Sequence, residues 1–328
     1  MENSDNMMDS ILASVCQQGP DAETLANADL SSCDIAPNEL PPGSAIYEYE
    51  IIKTLGSGGF GITYLAQEKH LQRKVVIKES FPASICYRNN EGYVLLHNPE
   101  NEQSAFDWAL ANFRREARLM ANLDHPCLPK VYSYFQAHGT AYYVTKFIEG
   151  PSLHKLAADY AKRNERIPQD ALLGMLVRLL DTLDHMHGRH ILHRDIKPDN
   201  ILVDRDGMPV IIDFGAARES RADADETVIE SRGFTPAEQL TEGSSMGPWT
   251  DLYALGATLY HTLTGKVLPS GKQRALYDTA DALSSNSELL QHYTPRFLAA
   301  IDRAIRPNAQ DRYQSVAEWM QQLHTNKL

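Results

Sequence analysis

The residues best equipped for chemistry stand in two clusters. The denser is His193-Arg-Asp-Ile-Lys-Pro-Asp-Asn200, followed by an apolar strand pattern at Val210–Ile212 and then by Asp213-Phe-Gly215. Two carboxylates, Asp195 and Asp213, and one amide, Asn200, carried on loops beside short strands suit a magnesium and phosphate site, because hard cations take oxygen ligands. The other cluster is Gly56-Ser-Gly58-Gly-Phe-Gly61, with Lys78 further on in Val75-Val-Ile-Lys78. Glycines at a hairpin tip let backbone N–H groups approach phosphate oxygens without interference from a Cβ. A dinucleotide site of the GxGxxG kind needs a helix directly after the glycines. Here Ile62-Thr-Tyr-Leu65 is β-branched and aromatic, so the loop joins two antiparallel strands. A plain glycine-rich turn is the alternative, and Lys78 tells against it: an ammonium among apolar residues is costly unless an anion pairs with it.

These clusters need elements to hold them. From Tyr47 the pattern is strand-like at residues 50–55, 62–66 and 74–78. A helical pattern over Phe106–Asn122 carries an apolar stripe of Ala109, Phe113, Ala117, Leu119 and Met120. Glu116 on that helix is the candidate partner of Lys78; the alternative is a surface ion pair with Arg114 or Arg115. Two short strands follow at Val131–Gln136 and Ala141–Phe147, joined by His138-Gly139, and beyond Gly150 come amphipathic helices at Ala171–His187 and Leu252–Leu263. A small sheet-rich lobe, residues 45–150, therefore precedes a larger helical lobe, residues 151–328, which is an α+β organisation without internal repeats.

The chain has 328 residues, 43% of them hydrophobic and 23% charged, the composition of a folded protein with about two domains. A net charge of −12 argues against general nucleic-acid binding and against docking on an anionic membrane. Residues 1–50 hold ten acidic residues and no Lys or Arg, which leaves −2 for everything after them. Residues 1–44 are polar, acidic and poor in aromatics, and end in Pro41-Pro-Gly43; they are expected to form a disordered tail. No run approaches the ~18 apolar residues of a membrane span, and the first cation is Lys53, unlike the basic start of a signal peptide. Cys16, Cys33, Cys86 and Cys127 form no CxxC pair, so a reducing cytoplasmic setting is expected.

In their order and joint presence the motifs resemble protein kinases of the eukaryotic type, over about Tyr47 to Leu323. The resemblance implies a bilobal fold, with a small antiparallel β-sheet and one main helix preceding a larger, mostly helical lobe. It implies transfer of the γ-phosphoryl group of ATP, with Mg2+ or alternatively Mn2+, to protein substrates. In that scheme Gly56, Ser57, Gly58, Gly59, Phe60 and Gly61 cover the ATP phosphates, while Lys78, held by Glu116, grips the α and β phosphates. Asp213 binds the metal bridging the β and γ phosphates and Asn200 a second one. Asp195 orients the attacking hydroxyl and accepts its proton, and Lys197 stabilises charge on the γ phosphate. A lysine at this place resembles kinases with Ser or Thr acceptors. Thr63, Val76 and Leu202, with Thr145 at the gatekeeper position and Lys146, Phe147 and Ile148 as the hinge, would line the nucleotide. Pro236-Ala-Glu238 and Arg312 resemble the supporting ion pair of the helical lobe, and Asp251 the residue that holds the catalytic loop.

The chain also departs from the family pattern. Thr63 and Val76 replace the usual valine and alanine, and 37 residues separate Lys78 from Glu116, so residues 80–104 read as an extra loop or hairpin. Ile77-Lys-Glu-Ser-Phe-Pro82 and Gly247-Pro-Trp-Thr-Asp251 resemble a bacterial branch. The histidines 185, 187, 190 and 193 suggest a metal cluster less than a helix end with His193 packed beneath the catalytic loop. Arg194 before Asp195 resembles kinases switched by loop phosphorylation, with Ser220, Thr227 and Ser231 available. Autophosphorylated Thr227 pairing with Arg194 is the expected arrangement, with Asp223, Asp225 and Glu226 as alternative anions. Two other functions compete: a scaffold that uses the fold only for binding, and a small-molecule phosphotransferase. Retention of Lys78, Asp195 and Asp213 tells against the first, and Arg194, Lys197 and Pro236-Ala-Glu238 tell against the second.

Overall fold

The computed structural model describes residues 38–219 and 230–324. They fall into a sheet-rich unit, which runs to Asp124 and resumes at Pro129–Ile148, and a helical unit of His125–Leu128 and Glu149 onward. Residues 1–37, and with them most of the expected tail, lie outside the described residues.

In the sheet-rich unit, β1 (Ala45–Ile46), β2 (Tyr49–Ser57), β3 (Gly61–Glu68) and β4 (Arg73–Ser80) lead into a separate hairpin of β5 (Cys86–Arg88) and β6 (Val94–Leu96). Helix α1 (Pro99–Ala121) follows, then β7 (Val131–Ala137) and β8 (Thr140–Lys146). The main sheet is antiparallel in the order β1-β2-β3-β4-β8-β7. Alternation along the strands buries Ile51, Ile62, Tyr64, Val75, Ile77 and Val144 on the core face. Two boundaries differ from expectation. Leu40 is buried and its N–H donates to the Tyr64 hydroxyl, so the packed chain begins at least four residues before the predicted end of the tail at 44. Helix α1 begins at Pro99 rather than near Phe106. Pro99 suits a first helical position, Glu100 and Glu102 complement the helix dipole, and the Glu102 carboxylate accepts from the Asn98 N–H at 2.7 Å. Residues 80–104 are thus a hairpin plus the first turns of a helix.

The insertion is tied to the sheet by a buried ionic network. Glu79 and Arg88 pair at 2.6 Å with side chains 0% and 4% exposed, and the hydroxyls of Tyr142 and Tyr64 donate to the same carboxylate at 2.6 and 2.9 Å. Arg88 also donates to the carbonyls of Asn38 and Gly92. Burial alone would lower the Arg88 pKa, but Glu79 holds it above its ordinary value, and burial raises those of both tyrosines.

In the helical unit, α2 (Leu153–Lys162) starts at Ser152, whose hydroxyl accepts from the Lys155 N–H. Helix α3 (Gln169–His187) precedes short strands β9 (Ile191–Leu192), β10 (Ile201–Val203), β11 (Pro209–Ile211) and β12 (Arg218–Glu219). Helix α4 (Pro248–Thr264) is buried on nearly every side, as befits the middle of a helical core, and α5 (Gly271–Leu276), α6 (Pro295–Ala304) and α7 (Val316–His324) complete the unit. Asp251, on the first turn of α4, is fully buried. Its carboxylate accepts from the backbone N–H groups of His193 and Arg194 at 3.0 and 2.9 Å and meets His187 Nε2 at 2.8 Å. Burial pushes the Asp251 pKa up, but these donors outweigh it and hold the carboxyl below its usual range. Cys86 and Cys127 are buried free thiols. Among the described residues no helix is long and apolar enough to cross a membrane.

Two outcomes are expected. Arg88→Met leaves the Glu79 charge buried without its cation and should cost about 3–5 kcal/mol in denaturant unfolding; a loss below about 1 kcal/mol would contradict the network. Because the folded-state pKa of Asp251 lies below its unfolded value, its stabilisation is complete above the ordinary carboxylate range and is lost as pH falls through the depressed value. Stability should therefore decline below about pH 4 in the wild type, and Asp251→Asn should lack that part of the slope. An equal slope in both proteins would refute it.

Candidate functional site

The sheet-rich unit positions the first set of candidate residues through strand register. Thr63 on β3 stands opposite Lys78 on β4, Lys78 opposite Tyr143 on β8, and Val76 opposite Thr145. Residues directly opposite in a sheet share a face, so Thr63, Val76, Lys78 and Thr145 line one surface. Lys146 stands opposite the buried Val75 and so lies on the other face; Phe147 and Ile148 follow just beyond the strand. Gly56 and Ser57 end β2, and Gly61 opens β3 where a Cβ would lie 2.6 Å from the Glu79 carbonyl oxygen, so only glycine fits. Gly58 and Gly59 have open space around the missing Cβ, and the Phe60 ring is 66% exposed.

Lys78 Nζ donates to Glu116 Oε1 at 2.9 Å. Glu116 is buried among Phe113, Ala117 and Met120, which settles its orientation inward and excludes a surface pair with Arg114 or Arg115. The Tyr143 hydroxyl donates to the same oxygen at 2.7 Å, and Lys78 Nζ lies 5.9 Å from that ring. Tyr143 is absent from the residues that the sequence singles out. The strand alternation that puts Thr145 on the site face puts Tyr143 there too, so a signal for it exists.

In the helical unit, Asp195 is the hub. Its Oδ1 accepts from the Ser231 hydroxyl at 2.5 Å, and its Oδ2 from Lys197 Nζ at 2.8 Å and Asn200 Nδ2 at 2.9 Å. Lys197 also reaches the Ser231 hydroxyl, at 3.1 Å. Asn200 sits on a short 3-10 turn, Pro198–Asn200, and its Nδ2 donates to the Asp195 carbonyl as well, so its Oδ1 keeps its lone pairs. The Ile212 N–H donates to the Asn200 carbonyl at 2.8 Å, which sets the chain leading into Asp213 beside the loop of residues 193–200. Asp213 is exposed, and its carboxylate takes a long 3.4 Å bond from the Gly215 N–H. Oxygens of Asn200 and Asp213 are the donor type a hard divalent cation prefers. Leu202, on β10, is half-buried opposite Val210 and bridges Ser152.

Arg194 and Asp213 hold left-handed backbone, φ 67° and 66°, which costs of order 1–3 kcal/mol for residues other than glycine. Arg194 is kept there by Asp251 on its N–H and by Gln239 Nε2, which donates to its carbonyl at 2.8 Å. His193 is fully buried, 4.8 Å from the Phe214 ring, and burial depresses its pKa. The four histidines build no shared centre: His187 pairs with Asp251, and among the described residues no group of three or more His, Cys, Asp or Glu could hold a metal ion. Glu238 meets Arg312 at 2.7 Å, and the guanidinium also takes the carbonyls of Arg306 and Pro307. Ser220 and Thr227 lie outside the described residues, and with them the expected pairing of phosphorylated Thr227 with Arg194.

The protein kinase domain family matches residues 49–325. The chain is 33% identical over 293 residues to serine/threonine-protein kinase PknA of Nostoc, covering 84% of this chain and 46% of that one. It is 34% identical over 293 residues to serine/threonine-protein kinase D of Synechocystis, covering 84% and 52%. The chain thus spans about half the length of the curated relatives it matches. Among solved structures, the PpkA-294 apo form matches with a TM-score of 0.76 at 34% identity, covering 88% of this chain and 100% of that one. The kinase domain of Mycobacterium tuberculosis PknI, solved as a point mutant, matches with a TM-score of 0.62 at 22% identity, covering 87% of this chain and 99% of that one, a likeness of fold. With a kinase-like α+β fold and the family match spanning most of its length, the chain belongs to the protein kinase family, whose members use ATP and a divalent metal ion.

Proposed function

We propose that the protein transfers the γ-phosphoryl group of ATP to Ser and Thr hydroxyls of proteins, its own chain included. The observation that carries this reading is the Asp195 carboxylate, which already accepts a serine hydroxyl, that of Ser231, at 2.5 Å with Lys197 beside both. That is the relation an acceptor hydroxyl needs to lose its proton as it attacks. Asp195 accordingly acts as the base and Lys197 neutralises charge on the transferring group. Lys78, fixed by Glu116 and Tyr143, grips the nucleotide phosphates beneath the glycine loop of residues 56–61, while Thr63, Val76 and Thr145, with Phe147 and Ile148 just beyond the strand, line the base. Asn200 and Asp213 would hold Mg2+, with Mn2+ as a substitute, and the ion would neutralise phosphate charge. The serine and threonine specificity is further supported by the names of the Nostoc and Synechocystis relatives. A reducing cytoplasmic setting accords with the free thiols Cys86 and Cys127; burial pushes the Cys86 thiol up to about 12, so it resists oxidation through its thiolate.

Incubation with Mg-ATP followed by phosphosite mass spectrometry tests the reading. The wild type should phosphorylate Ser or Thr residues, and Asp195→Asn should lower the rate by about 10²–10⁴-fold with ATP binding kept. Lys78→Met should abolish detectable transfer. A wild type that binds ATP and transfers nothing would instead favour the scaffold.

A further inference from the structure

Two residues beyond Lys78 the chain enters the insertion, and there it bonds to the tip of the glycine loop. The Phe81 N–H donates to the Phe60 carbonyl at 3.0 Å and the Ala83 N–H donates to the Gly59 carbonyl at 3.2 Å, while the Gly58 N–H closes onto the Gly61 carbonyl at 2.9 Å. No peptide bond here is cis. In a planar trans peptide the carbonyl and the next residue's N–H point in opposite directions. Holding the Gly59 carbonyl therefore aims the Phe60 N–H, and holding the Phe60 carbonyl aims the Gly61 N–H.

The donors are themselves rigidly seated. Phe81 is 1% exposed with the Arg88 guanidinium 5.3 Å from its ring centre, and Arg88 is fixed by Glu79. The Ser80 carbonyl accepts the Thr140 hydroxyl at 2.5 Å. The Ile85 and Cys86 N–H groups both fold back on the Pro82 carbonyl, at 3.0 and 3.2 Å, which makes a tight turn with Ala83 at its second position. We propose that the insertion following Lys78 is a positioning brace for the glycine loop, which through the Phe81 and Ala83 N–H groups presents the Phe60 and Gly61 amides to nucleotide phosphates. The brace rests on the nucleotide-binding reading of that loop. A run of four glycines in six residues is otherwise free to sample many conformations, and order imposed before binding is not deducted from affinity.

Ala83→Pro tests the brace. The side chain is exposed, and proline is favoured at the second position of a turn, so the substitution removes the donor and leaves the turn. Ala83→Ser keeps the N–H and serves as the conservative rescue. Loss of one hydrogen bond should raise KM for ATP and the Kd of a fluorescent ATP analogue about fivefold in Ala83→Pro. The KM for the protein substrate and the Tm should stay unchanged, and Ala83→Ser should match the wild type. As a second measurement, hydrogen exchange on the nucleotide-free wild type should show the Phe81 and Ala83 amides protected. Equal nucleotide affinity of the Pro and Ser variants, or unprotected amides at both positions, overturns the brace alone. Failure of the wild type to bind ATP overturns the nucleotide reading and the brace with it.

Discussion

The arrangement of the helical unit depends on one buried anion. Asp251 sits on a helix with almost no solvent-facing side, and its carboxylate takes the backbone N–H groups of His193 and Arg194 and one imidazole. A charge so placed is tolerable only because both carboxylate oxygens are engaged by donors. In return it fixes the left-handed residue Arg194, and with it the direction in which Asp195 leaves the loop. Glu238 does the same at one remove: its pairing with Arg312 anchors the segment whose Gln239 caps the Arg194 carbonyl. The placement of Asp195 is thus inherited from groups that do not themselves touch its carboxylate.

Asp195 is satisfied three times over, by Ser231, Lys197 and Asn200. This carboxylate already holds a hydroxyl of the chain itself, so any further donor approaching it competes with Ser231. This links the segment after residue 230 to the Asp195 carboxylate through a single short hydrogen bond.

Much of this is legible in the sequence, because motifs that must meet phosphate or metal draw on few residue types. Asp195, Lys197, Asn200 and Asp213 stand out by identity, and period-two alternation places the strands that bear Lys78. The hydrophobic stripe locates the helix of Glu116 but cannot aim the side chain, since Arg114 and Arg115 offer equally near partners; only burial among Phe113, Ala117 and Met120 decides it. The start of that helix escapes a sequence reading because Pro99 and two acidic residues look like loop composition until they are seen as a helix N-terminus. Arg88 and Asn38 are unreadable for another reason: they meet each other across fifty residues, and nothing local marks an exposed-looking arginine as one that will be enclosed with Glu79.

Lys78 and Glu79 are neighbours on one strand, and so face opposite sides of the sheet. The lysine finds a carboxylate on its side, and the glutamate finds two phenols and a guanidinium on the other. A slip of one residue in the pairing of β4 would carry the ammonium into the guanidinium's enclosure and the carboxylate toward Glu116, setting like charges together on both sides at once. Two adjacent, oppositely charged side chains therefore proofread the alignment of the whole sheet, rejecting every neighbouring frame without any residue reserved for that purpose.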